Sequence, residues 1–99
     1  MNKKELNKTI LSFLDLEKNW DTYDAEKTTI QSIESAIILL ESLSNIIFIT
    51  QVNVFPMRDG GIQFDIGEFK EIEIFNFHIT EIFYDLNYKI INKISYELN

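Results

Sequence analysis

Ninety-nine residues, 45% hydrophobic and 13% aromatic, suffice for one core, so residues 1–99 read as a single domain. Nine Lys and Arg against sixteen Asp and Glu give a net charge of −7, which opposes attraction to phosphate backbones and anionic lipid and disfavours direct nucleic-acid binding. With no cysteine, disulfides, thiolate metal sites and cysteine nucleophiles are excluded together, as in many proteins of a reducing compartment.

Met1 to Leu6 are not followed by the apolar run of a signal peptide, because Asp15, Glu17 and Lys18 interrupt it. No stretch approaches the roughly 20 apolar residues that cross a bilayer. A cytoplasmic chain away from the membrane is expected.

Leu6, Ile10, Phe13 and Leu14 recur at helical spacing between charged and polar residues, which predicts a surface helix from about Lys3 to Lys18. Asn19-Trp20-Asp21-Thr22-Tyr23-Asp24 breaks that period with cap and turn formers. Thr28-Thr29-Ile30-Gln31 fits a T-x-x-Q capping box. Ile30, Ile33, Ile37, Leu40 and Leu43 then predict a second helix from about Thr29 to Ser44, with Ala36 on the same side and Ile38 and Leu39 widening the stripe.

From Ile46 the period changes to two: Phe48, Val52 and Val54 share a face until Pro56 ends the strand. Asp59-Gly60-Gly61 supplies a turn. Ile62, Phe64 and Ile66 alternate with Gln63 and Asp65, and after Gly67-Glu68-Phe69 come Ile72 and Ile74 alternating with Glu71 and Glu73. With Asn76-Phe77-His78 as the next turn, Ile82, Tyr84 and Leu86 point inward on a fourth strand. The four-apart spacing of Leu86, Ile90, Ile94 and Leu98 predicts a short C-terminal helix. The fold class is therefore α+β: two N-terminal helices packed on a four-stranded antiparallel meander, with a short helix at the end.

Keeping Phe64 opposite Ile72 and Ile62 opposite Ile74 requires Asp65 to face Glu71, a like-charge pair that costs a few tenths to roughly 1 kcal/mol. Glu73, Glu81 and Asp85 are expected on the same outer face, with Phe75 and Phe83 as aromatic rings among the carboxylates. Asp65, Glu71, Glu73, Phe75, Glu81 and Phe83 are thus the candidate partner-binding residues, suited to a basic protein.

Trp20 is expected to plug the gap between helices and sheet while Asn19 and Asp21 bind backbone groups at the turn. An alternative site is a pocket between helices and sheet near Trp20, Tyr23 and Tyr84. His78 is the one histidine and falls in a turn, with no nucleophile and orienting acid evident beside it. Gly60, Gly61 and Gly67 lie in hairpins rather than before a helix, unlike phosphate loops. Neither a D-x-D-x-D-G loop nor a Cys/His set is present, so no metal, no cofactor and no catalytic residue is expected.

Asn19-Trp20-Asp21 with Ala25, the helix after it, Pro56, Asp59-Gly60-Gly61-Ile62 and Glu71-Ile72-Glu73-Ile74 together resemble a group of small uncharacterised bacterial proteins. In that group an N-W-D-G-x-x-A stretch precedes a helix and a short meander. Thr22 stands where the group usually has glycine, and Ile66 where an aromatic residue often ends the second strand. The resemblance spans roughly residues 15 to 84 and implies the α+β fold and a bacterial or phage setting, with no activity attached.

Charge, size and missing catalytic chemistry point to a non-enzymatic interaction module, an inhibitor of a basic or nucleic-acid-binding bacterial protein such as a nuclease or toxin. An antitoxin-like or anti-defence role fits that reading. The alternative is a small-ligand binding or sensing domain. A homodimer through the acidic face is a further arrangement to test.

Overall fold

The computed structural model describes residues 2–45 and 51–98. Helix α1 (Lys3–Ser12) begins where the Asn2 side chain accepts the Glu5 N–H, then tightens into a 3₁₀ turn, Phe13–Asp15. The helix is shorter than the expected Lys3 to Lys18, and the tighter turn leaves Leu14 outside the core while Leu6, Ile10 and Phe13 stay buried.

Helix α2 (Ile30–Leu43) is capped by Thr29, which accepts the Ser32 N–H. Thr28 is not the cap, contrary to the T-x-x-Q reading; its hydroxyl is buried with no hydrogen-bond partner among the described residues. The buried stripe is Ile33, Ala36, Leu39, Leu40 and Leu43, with Ser32 and Ser35 beside it, whereas Ile30 and Ile38 are exposed. The buried stripe is centred on Ser32, Ala36, Leu39 and Leu43 because Ser32 and Ser35 dock on Asn76, and at 3.6 residues per turn that leaves Ile30 on the far side.

Five strands follow: β1 (Val52–Pro56), β2 (Ile62–Ile66), β3 (Lys70–Phe75), β4 (His78–Tyr84) and β5 (Ile90–Glu97). They form one antiparallel meander in chain order. The terminal segment is therefore a fifth strand rather than a helix. Its Ile- and Tyr-rich composition suits a strand, and pairing with β4 satisfies its backbone. The expected start of the first strand around Phe48 lies outside the described residues.

Even-numbered residues of β1, β2 and β3 face the helices: Val52 opposes Ile66, Val54 opposes Phe64, Phe64 opposes Ile72, and Ile62 opposes Ile74. These side chains join Leu6, Ile10, Phe13 and the α2 stripe in one core, completed by Ile79. Full burial of each large aliphatic side chain is worth about 1.5–3 kcal/mol.

One end of the sheet is tied to the start of α2 by hydrogen bonds. Thr29 donates its N–H to the Gly60 carbonyl at 3.0 Å. The Thr29 hydroxyl lies 2.7 Å from Asn76 Oδ1, the Asn76 N–H donates to Ser32 Oγ at 2.8 Å, and Ser35 Oγ donates to the Asn76 carbonyl at 2.6 Å. Buried serines on an apolar helix face would be costly unpaired; here they hold the β3–β4 turn against the helix. Gly61 sits at the same end because a Cβ there would press into the Ile74 carbonyl oxygen.

Candidate functional site

The face of the sheet turned away from the helices carries the candidate site. In antiparallel strands directly opposed residues share a face, so the odd-numbered residues of β1, β2 and β3 assemble there. Asp65 lies opposite Glu71, and Gln63 opposite Glu73, as the register argument requires. Phe55 opposes Gln63, and Phe75 closes the row at the end of β3. Both phenylalanines are exposed.

The turn from β3 to β4 changes the rest of the expectation. Phe75 pairs with His78, so the loop is Asn76-Phe77 alone, with Asn76 in the left-handed region at φ 53°. A two-residue loop pairs odd residues of β3 with even residues of β4. Glu73 faces Thr80, Glu71 faces Ile82, and Glu81 instead faces Ile72 on the helix side. The expected three-residue turn would have done the opposite, because a slip of one residue exchanges the faces of a whole strand.

Glu81 and Phe83 are accordingly not part of the outer acidic face. Glu81 is paired with Lys70 at 2.7 Å and accepts the Tyr96 hydroxyl at 2.8 Å. Partial desolvation raises its pKa, but the hydrogen bonds from Lys70 and Tyr96 and the Lys70 charge outweigh this and hold the carboxyl below its ordinary value. The same arrangement pushes Tyr96 up to about 12, through desolvation and the hydrogen bond to Glu81. Phe83 lies under the Lys70 ammonium, 4.9 Å from the ring centroid. Asp85 leaves the face as well: its carboxylate accepts the N–H groups of Asn87 and Lys89 and builds the β4–β5 turn.

Asp65, Glu71, Glu73 and Phe75 remain together. None of these three carboxylates is in an ion pair among the described residues. Gln63 donates to Asp65 Oδ1 at 2.7 Å and the Tyr84 hydroxyl to Glu71 Oε2 at 3.1 Å, which orients the carboxylates without neutralising them. Tyr84 reports the resulting field: its pKa is raised by desolvation, by the hydrogen bond to Glu71, and by the charges of Glu71, Glu73 and Asp65.

Tyr84 belongs to this face because its even number on β4 places it outward, and Phe55 because it alternates with Val52 and Val54. The period of two in β1 carried the signal for Phe55. For Tyr84 no local signal existed, since its face depends on the length of the preceding turn.

The alternative pocket is not assembled. Trp20 is half-buried, outside the core, and donates its indole N–H to the Glu26 carbonyl at 2.9 Å; it does not plug the gap between helices and sheet. Asn19 and Asp21 do bind backbone: Asn19 Oδ1 accepts the Asp24 N–H, and Asp21 Oδ1 accepts those of Tyr23 and Ala25. Slight desolvation raises the Asp21 pKa, but these N–H groups and Arg58, 2.9 Å away, bring it below the ordinary value.

Tyr23 is 73% exposed and its carbonyl accepts from Arg58 at the β1–β2 turn. Tyr84 lies at the other end of the sheet, its N–H on the Phe69 carbonyl, roughly 17 Å along the strands. A depression lined by Met57, Asp59, Glu73, Phe75, His78 and Thr80 holds about 70 Å³, room for a few waters and well below the roughly 300–1,000 Å³ of a small-molecule site. His78 bonds Glu97 through Nδ1, and the Thr80 hydroxyl is 3.0 Å from Ser95 Oγ.

Fold and face together define the class: a two-layer α+β protein, a five-stranded meander with helices on one side and carboxylates with aromatic rings on the other. Comparison of the chain with known protein families, with curated proteins and with solved structures found no match.

Proposed function

We propose that the chain is a non-catalytic interaction module that engages a basic protein partner through the outer face of its sheet. Asp65, Glu71 and Glu73 receive arginine or lysine side chains, and Phe75 and Phe55 supply the apolar contact beside them. The observation that carries this reading is the uncompensated cluster of three carboxylates across two paired strands.

Placing Asp65 opposite Glu71 costs stability, and neither carboxylate is in an ion pair among the described residues. A surface that keeps such a cost while leaving phenylalanines exposed suits electrostatic steering followed by desolvated aromatic contact. Carboxylates arrayed on a rigid sheet can also occupy the place of phosphates on a nucleic-acid-binding protein, which makes a nuclease or toxin of a bacterial or phage system the natural target. On this reading the protein acts as an inhibitor in the cytoplasm.

The test is capture of a partner from a bacterial lysate at low and high salt, followed by calorimetry with the purified partner. Reversal of Asp65, Glu71 and Glu73 to lysine should abolish binding to a basic partner. Glu81→Gln, on the opposite side of the sheet, should leave it intact. Equal binding by the triple variant would refute the proposal.

A further inference from the structure

We infer that the depression between the β1–β2 turn and the β3–β4 hairpin is the subsite for one arginine side chain of the basic partner. This inference rests on the partner proposal and names the group that the outer face recognises at that corner. The depression is lined by Met57, Asp59, Glu73, Phe75, His78 and Thr80. Glu73 and Phe75 of β3 and their β4 partners Thr80 and His78 belong to the outer face, and Met57 and Asp59 border them from the turn.

Of the three carboxylates on this face, two are already engaged: Asp65 accepts from Gln63 and Glu71 from Tyr84. Glu73 is half-buried, yet no hydrogen bond or ion pair from the described residues reaches it. A partly desolvated carboxylate is disfavoured until a donor meets it, and a cationic donor from outside does so most strongly.

The turn holds a second carboxylate beside the depression. Asp59 Oδ1 accepts the Gly61 N–H at 2.8 Å, which fixes the side chain and leaves Oδ2 for another donor. Gly61 packs so closely on β3 that a Cβ would lie 2.3 Å from the Ile74 carbonyl oxygen, so the turn is drawn onto the end of that strand. Asp59 has no ion-pair partner among the described residues. Phe75, 40% exposed, adds an aromatic ring. His78 bonds Glu97 through Nδ1, so a proton on the imidazole is matched by a carboxylate.

Size and shape select arginine over lysine. About 70 Å³ is too little for a drug-sized ligand but takes the end of a side chain, since a guanidinium is about as large as the few waters it would displace. Its planar fork of N–H donors can reach two carboxylates at once while its face lies on an aromatic ring. A lysine ammonium is a compact, strongly hydrated point charge without that fork.

Two capped peptides, one alternating glycine with arginine and one glycine with lysine, are titrated into the isotope-labelled full chain and followed by amide NMR shifts. The arginine peptide should bind at least about fivefold tighter than the lysine peptide and shift the amides of Asp59, Glu73, Phe75 and Thr80. Asp59→Asn keeps an acceptor for Gly61 and removes the charge, and Phe75→Leu keeps an apolar side chain and removes the ring. Each should weaken the arginine peptide about two- to fivefold and narrow its preference over lysine, in a spectrum that is otherwise that of the folded chain. Equal binding of the two peptides, lost on reversal of Asp65, Glu71 and Glu73, would overturn this inference and leave the partner proposal standing. Binding of neither peptide would also overturn it, and the lysate capture then decides the partner proposal separately.

Discussion

Phe75 lies directly opposite His78, across a loop of only Asn76 and Phe77, and that pair decides which face every β4 side chain takes. Deletion of Phe77 would leave Asn76 and His78 as the two-residue loop and set Ile79 opposite Phe75. It would turn Ile79, fully buried, away from the helices. The expected loss is at least about 1.5–3 kcal/mol, seen as a lower urea midpoint.

Thr22 has φ 65°, a left-handed conformation that costs a non-glycine residue roughly 1–2 kcal/mol. Thr22→Gly should relieve that strain against a glycine entropy cost of about 0.5–1 kcal/mol. A net rise in stability, up to about 1 kcal/mol, is expected in chemical denaturation; a drop would show that the threonine side chain is supported in its present conformation.

Glu71 faces Asp65 and accepts the Tyr84 hydroxyl. Glu71→Gln keeps an acceptor for Tyr84 and removes one of the opposed charges. It should stabilise the fold by a few tenths to about 1 kcal/mol, an effect that shrinks in high salt. The same substitution should weaken binding to a basic partner, so stability and binding move in opposite directions.

The Lys70–Glu81–Tyr96 cluster predicts the response to pH. The Glu81 pKa is lowered from its ordinary 4.5, so the folded state prefers the carboxylate. The stability it contributes is present above about pH 4.5 and is lost as pH falls through the lowered folded value. Glu81→Gln should flatten part of the acid limb of melting temperature against pH, with Asp21, also lowered, accounting for some of what remains. Tyr96, raised from 10.0 to about 12, acts in the other direction: its contribution is complete below pH 10 and is lost as pH rises toward 12. Tyr96→Phe should remove that alkaline loss.

Much of the architecture was legible in local pattern. The helical spacing of Leu6, Ile10 and Phe13, and of Ile33, Leu40 and Leu43, marks faces that can be buried in only one way. The alternation in Ile62 to Ile66 and Ile72 to Ile74 restricts the β2–β3 register, because a slip of one residue would expose Phe64 and Ile72. The opposition of Asp65 and Glu71 followed from that requirement alone. The C-terminal segment was ambiguous for a physical reason: Ile90, Ile91 and Ile94 are exposed on an edge strand, so no buried face imposed a period of two.

The amino-acid sequence by itself determined the acidic balance, the two amphipathic helices and the inward faces of the first three strands, since each follows from apolar spacing within a short segment. The tertiary structure alone decided that Glu81 and Phe83 join Lys70 on the helix side while Tyr84 joins Glu71 on the other. That choice rests on whether a turn holds two residues or three. Here the two-residue turn is held by the hydrogen bond from the Asn76 N–H to Ser32 and by that from the Ser35 hydroxyl to the Asn76 carbonyl, more than forty positions away in the chain.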